Sequence, residues 1–200
     1  MKELAKRSTK AAAAATAQPV TQWVNKTIEL ESRKDWPALL EHSRRWTKAH
    51  PGSDGAWYNL GVSYSKIGQS AKAIEAYQQA LRINPEFAGA WNNLGVRYSE
   101  IGQFVKAIEA YQQALRINLE DADAWNNLGA AYGKAGQSAK AIEAFQQALH
   151  INPQHASAWY NLGVAYSSTG QRSKVLEVYK RLKTLDPALA ERFFNKVIIS

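Results

Sequence analysis

Cysteine is absent from this chain of 200 residues, so it can build no disulfide framework, no thiolate metal site and no cysteine nucleophile. A helical protein without cysteine suits the cytoplasm first and the periplasm second. No apolar run approaches the roughly 18 residues that a membrane-crossing helix requires, and no membrane span is expected. Histidine is scarce: His42, His50, His150 and His155 are the whole supply, and no two stand four apart on one helix face as paired metal ligands would. No glycine-rich phosphate loop, no Gly-x-Ser-x-Gly elbow and no close pair of carboxylates can be read. Neither metal, cofactor nor catalytic activity is therefore expected. Proline is also sparse, at six residues, while Ala, Leu, Gln and Glu abound, which favours an all-α chain.

The formal net charge of +8 has to be mapped before it points to a partner. Lys2, Lys6, Arg7 and Lys10 supply part of it, and Arg172, Lys174, Lys180, Arg181, Lys183, Arg192 and Lys196 supply more. The stretch from Asp54 to His155 is close to neutral. A continuous basic stripe that could track phosphates is missing, so no nucleic acid is expected. Residues 1–20 begin like a secretion signal, but the run that follows is Ala and Thr without Leu, Ile or Phe, a poor apolar core for such a signal. Residues 1–19 read instead as a flexible basic, Ala-rich tether.

What the chain does have is a period. Trp57, Trp91, Trp125 and Trp159 recur every 34 residues, and each opens the same phrase: AWYNLGVSY, AWNNLGVRY, AWNNLGAAY, AWYNLGVAY. Trp57, Leu60, Gly61 and Tyr64 fall on one face of a helix, and in the following run Ala73, Tyr77 and Ala80 do the same. Gly68, Gly102, Gly136 and Gly170 separate the two runs, as residues that end a helix in the left-handed region. Asn84-Pro85 stops the second run. The unit is a helix–turn–helix hairpin. One such hairpin cannot bury its own apolar face, so neighbours must stack.

These residues resemble the tetratricopeptide repeat. Its pattern runs through Trp57, Leu60, Gly61, Tyr64, Gly68, Ala73, Tyr77, Ala80 and Pro85, and again through Trp91 to Ala114, with Leu119 where proline is expected. It recurs from Trp125 to Pro153 and from Trp159 to Pro187, where Val175 and Leu182 replace the two alanines and Tyr179 holds the large aromatic position. The resemblance implies a right-handed α-α superhelix, a solenoid of antiparallel hairpins. The repeats are set at 54–87, 88–121, 122–155 and 156–189, with a degenerate hairpin at 20–53 carrying Trp23, Leu30, Leu39, Trp46 and Pro51. Residues 190–200 read as a capping helix through Phe193, Phe194, Val197 and Ile198; the alternative is that this helix pairs two copies of the chain.

The resemblance also implies a non-catalytic scaffold that holds a protein or peptide segment in an inner groove. If the Trp-Leu-Gly-Tyr face is buried, the opposite face lines that groove. The candidates are Tyr58, Asn59 and Val62; Asn92, Asn93 and Val96; Asn126 and Asn127; Tyr160, Asn161 and Val164. Ala130, Gly133, Lys134 and Ser168 share those inner positions, and Gly133 is either drift or an opening for a partner's bulky side chain. Asparagine amides offer donors and an acceptor to a peptide backbone, or else serve the repeat's own packing. The family's carboxylate clamp for chaperone tails needs Lys, Asn and Arg at inner positions, and the cations are missing here. A structural self-assembling or tethering module is the alternative function, and an RNA-binding α-solenoid ranks behind it.

Overall fold

The computed structural model describes residues 19–199. All regular structure in them is helical: α1 Val20–Ser32, α2 Trp36–Ala49, α3 Asp54–Lys66, α4 Ser70–Ile83, α5 Ala88–Glu100, α6 Phe104–Ile117, α7 Ala122–Lys134, α8 Ser138–Ile151, α9 Ala156–Ser168, α10 Arg172–Leu185 and α11 Pro187–Phe193. A π-helical turn, Phe194–Ile198, continues α11. Contacts divide the chain into two compact units, the first ending at Arg97 and the second starting at Tyr98.

The local signals that start and stop these helices are chemical. Asp35, Ser53, Asp121 and Asp186 each accept a hydrogen bond from the backbone N–H three residues on, at 2.9–3.2 Å, and so cap α2, α3, α7 and α11. Pro37 and Pro187 sit in the first turns of α2 and α11, where a missing N–H costs nothing. The glycines between the paired helices have φ of 73–76°, a region that other residues enter only with strain. At the end of the second helices the stop belongs to asparagine more than to proline. Asn84, Asn118 and Asn152 all leave the helix at φ near −130° and accept, through Oδ1, the backbone N–H two residues on. Leu119 therefore replaces proline without altering the turn.

In the first unit, α4 packs Ala73, Tyr77 and Ala80 inward, all at 0–1% exposure. The ring of Tyr77 lies over Gly61 of α3, where a Cβ would come within 2.5 Å of it. The second unit repeats this contact between Phe145 and Gly129, at 2.6 Å. The last hairpin does not. Over Gly163 lies Phe193 of α11, beside Val178, and Tyr179, which the repeat pattern places in that role, is half-buried against Phe194 with ring centroids 5.3 Å apart. The physical reason is bulk: Val175, Val178 and Leu182 fill the space the alanines leave elsewhere, and Phe193 enters from α11 to complete the core with Leu162 and Ala190.

Candidate functional site

The face opposite the buried Leu-Gly edge of the first helices carries the sequence candidates. In the first unit, Tyr58, Asn59 and Val62 stand half-buried on α3, as do Asn92, Asn93 and Val96 on α5. Their polar groups are largely turned toward the protein itself. Asn93 donates through Nδ2 to the Tyr58 hydroxyl at 3.0 Å, and Asn59 donates to the Gly55 carbonyl of its own helix at 2.8 Å. The Tyr58 ring packs against Phe87, with centroids 4.7 Å apart. Burial pushes the Tyr58 hydroxyl above its ordinary value; the Asn93 hydrogen bond pulls it down and the Glu31 charge adds to the rise. Tyr58 is thus a protonated hinge-pin between two helices.

In the second unit the same link recurs with asparagine in place of tyrosine. Asn161 donates through Nδ2 to Oδ1 of Asn126 at 3.0 Å, joining α9 to α7. Asn126, Asn127 and Tyr160 are half-buried, and Tyr160 meets the edge of Phe193 at 5.6 Å. The amide ladder therefore serves packing between neighbouring first helices, through one amide donor at each of these two links.

A cavity of about 330 Å³ lies between α7, α8 and α9. Ala130, Gly133, Lys134, Asn161, Val164 and Ser168 form its rim and walls, and Phe145, Ala141 and Ser138 of α8 close its base. Gly133 is not required by packing: a Cβ there would meet only the Cβ of Ala141, at 3.9 Å. What the missing side chain leaves is space. The lining is mixed: Ala130, Ala141, Phe145 and Val164 make it apolar in part, Ser138, Asn161 and Ser168 add hydroxyl and amide groups, and exposed Lys134 adds a cation. Such a site suits an apolar side chain on a segment that also presents carbonyl or carboxylate oxygen. The structure thus groups Asn161 and Val164 around Gly133, and leaves Tyr58 and Asn93 as a separate, internally bonded pair. The α8 floor carried no sequence signal, because Ser138, Ala141 and Phe145 read as ordinary second-helix residues. Among the described residues, no three His, Asp or Glu side chains gather as metal ligands would, and no helix is long and apolar enough to cross a membrane.

Comparison with known proteins gives matches to tetratricopeptide repeat family models at residues 55–87 and 122–155, at 97–136, and at 76–109 and 144–174, which together run without a gap from 55 to 174. Among solved structures, the fold is similar to that of MamA, at 27% identity and a TM-score of 0.76, over 82% of this chain and 96% of that one. It is also similar to MamA residues 41 to the end from Desulfovibrio magneticus RS-1, at 20% identity and TM-score 0.78, over 84% and 95%. YrrB, described as a TPR protein with an unusual peptide-binding site, aligns at 24% identity and TM-score 0.72, over 85% and 89%. The last two likenesses are of fold alone. A comparison with curated proteins found no match.

Proposed function

Because the chain belongs to the tetratricopeptide repeat family, we propose that it is a non-catalytic scaffold for protein–protein interaction, binding a segment of another protein on the face that carries Asn126, Asn127, Asn161 and Val164. The observation that carries this reading is the cavity at Gly133, an unfilled notch lined by apolar side chains together with hydroxyl, amide and ammonium groups. An extended segment lying along the helices would satisfy its backbone on the asparagine amides and place one bulky side chain in the notch. Without a deep enclosed pocket, such contact supports micromolar binding, about −8 kcal/mol.

The test is capture of partners by the full chain beside its Gly133→Leu variant, which fills the notch with its own side chain. Loss of a captured protein from the variant, with unchanged helicity, supports the reading; identical capture by both chains excludes the notch. Asn93→Ala with Asn127→Ala then asks whether the amides contribute.

Self-assembly is the second reading, and a specific feature favours it. Val20, Val24 and Ile28 stand at i, i+4 and i+8 along α1, exposed by 55%, 39% and 59%, and Ile199 at the other end of the chain is 65% exposed. Light scattering over a concentration series decides it: a molar mass that stays at 22.2 kDa removes self-assembly.

A further inference from the structure

The repeat pattern puts Trp125 and Trp159 on a buried face, yet both are half-buried and floor open grooves in the second unit. Each indole is pinned by its N–H to a carbonyl six residues earlier, Trp125 to Leu119 and Trp159 to Pro153, both at 2.9 Å. The grooves measure about 840 and 610 Å³. Their linings repeat: Trp125, Leu128 and Tyr132 in one become Trp159, Leu162 and Tyr166 in the other. Neither shares a residue with the cavity at Gly133.

The polar groups repeat too. Gln112 donates to the Tyr132 hydroxyl and Gln146 to that of Tyr166, both at 3.0 Å, so each phenol accepts from the protein and keeps its proton for an acceptor. Lys140 lies over the Tyr132 ring at 5.5 Å and Lys174 over the Tyr166 ring at 4.9 Å, which holds each ammonium beside the aromatic floor. Arg116 joins Lys140 on the first rim, against Glu143; Arg181 joins Lys174 on the second, against Glu177. On the second rim two permanent cations thus face one acid, and on the first Lys140 repeats the place of Lys174.

We propose that these grooves are a second docking surface, for an acidic protein segment that seats one aromatic side chain in each. Aromatic floors favour a ring, the lysines held over the Tyr132 and Tyr166 rings favour acidic neighbours, and the phenol protons favour carbonyl or carboxylate oxygen. Glu143 and Glu177 sit within the rims and repel the closely spaced charges of a phosphate backbone, so the grooves suit a protein segment over a nucleic acid. The two grooves are equivalents one hairpin apart, each between successive second helices over the intervening first helix, so a segment with two spaced aromatic anchors fits the pair.

The probe is the fluorescein-labelled peptide Asp-Trp-Asp-Glu-Trp-Asp, titrated with the full chain and followed by anisotropy. Saturable binding is expected. Lys140→Glu with Lys174→Glu should weaken it about tenfold or more, whereas the same charge change at two cations outside the grooves, Lys48→Glu with Lys196→Glu, should leave it unaltered. Replacing both peptide tryptophans with serine should cost about tenfold as well. The proposal is overturned by no saturable binding, by equal loss in the two charge-reversed proteins, by equal affinity for the serine peptide, or by tighter binding of a labelled oligothymidylate than of the peptide. Circular dichroism of both variants shows that they remain folded.

Discussion

In the α3–α4 hairpin the ring of Tyr77 lies directly over Gly61, with Ala80 one turn further along the same helix face. One period earlier, in α1–α2, those three places hold Thr27, Ser43 and Trp46. The bulk has moved by one turn: where α4 has a large residue then a small one, α2 has a small one then a large one, and all three α1–α2 side chains are buried, at 5%, 0% and 1% exposure. The two hairpins of this unit teach that the array conserves local volume and not residue identity. The exchange has a polar cost. Trp57 donates its indole N–H to the Pro51 carbonyl at 2.8 Å, whereas the buried Trp23 and Trp46 indoles have no hydrogen-bond partner among the described residues. It has a polar gain as well, since Ser43 meets Ser63 of α3 at 2.8 Å in a buried pair.

The largest effect should come from breaking the moved bulk. Trp46→Ala empties a fully buried site and should cost about 4 kcal/mol in urea denaturation followed by circular dichroism; a cost under about 1 kcal/mol would mean that Trp46 is not the counterpart of Tyr77. Next is the exchange itself. Gly61→Thr drives a side chain into the Tyr77 ring and should cost about 3 kcal/mol, and the triple variant Gly61→Thr/Tyr77→Ser/Ala80→Trp should recover more than half of that loss. No recovery would show that the two solutions are not interchangeable. Smaller is the indole contrast. Trp57→Phe loses the bond to Pro51 and should cost about 1 kcal/mol more than Trp23→Phe, which relieves an unpaired donor.

The smallest effect concerns pH. His42 lies on α2 with Nε2 3.0 Å from the Trp23 carbonyl, and burial holds its pKa below the ordinary 6.5, with Arg45 and Lys26 adding to the fall and the carbonyl opposing it. As pH drops through about 6.5 the unfolded chain takes this proton before the folded one, so stability present above that pH is lost below it. A urea midpoint that falls between pH 7.5 and 5.5, with a shallower fall in His42→Gln, is the expected outcome; equal slopes in both proteins would remove His42 as the cause. The α3–α4 hairpin has no histidine and no counterpart of this effect.

The all-α hairpin fold was legible in the sequence because its determinants are local or strictly periodic. A recurring Trp-Leu-Gly-Tyr face, a glycine able to take φ near 75° and an asparagine that closes a turn each act within a few residues of themselves. Periodicity even identifies which second-helix ring meets which glycine, as Tyr77 with Gly61 and Phe145 with Gly129. It fails at the end of the array, where Phe193 arrives from another helix to cover Gly163, since no local rule says which of several nearby rings will fit a space shaped by Val175 and Leu182. The candidate site shows the same division. The sequence marks Gly133, Asn161 and Val164 as members of one helical face, but only the packing of α7, α8 and α9 decides that Gly133 opens a cavity floored by Phe145. Likewise the tryptophan period is plain in the sequence, while the half-exposure of those rings is not. It follows from where helices cross and which carbonyl each indole reaches, quantities set by contacts between distant residues.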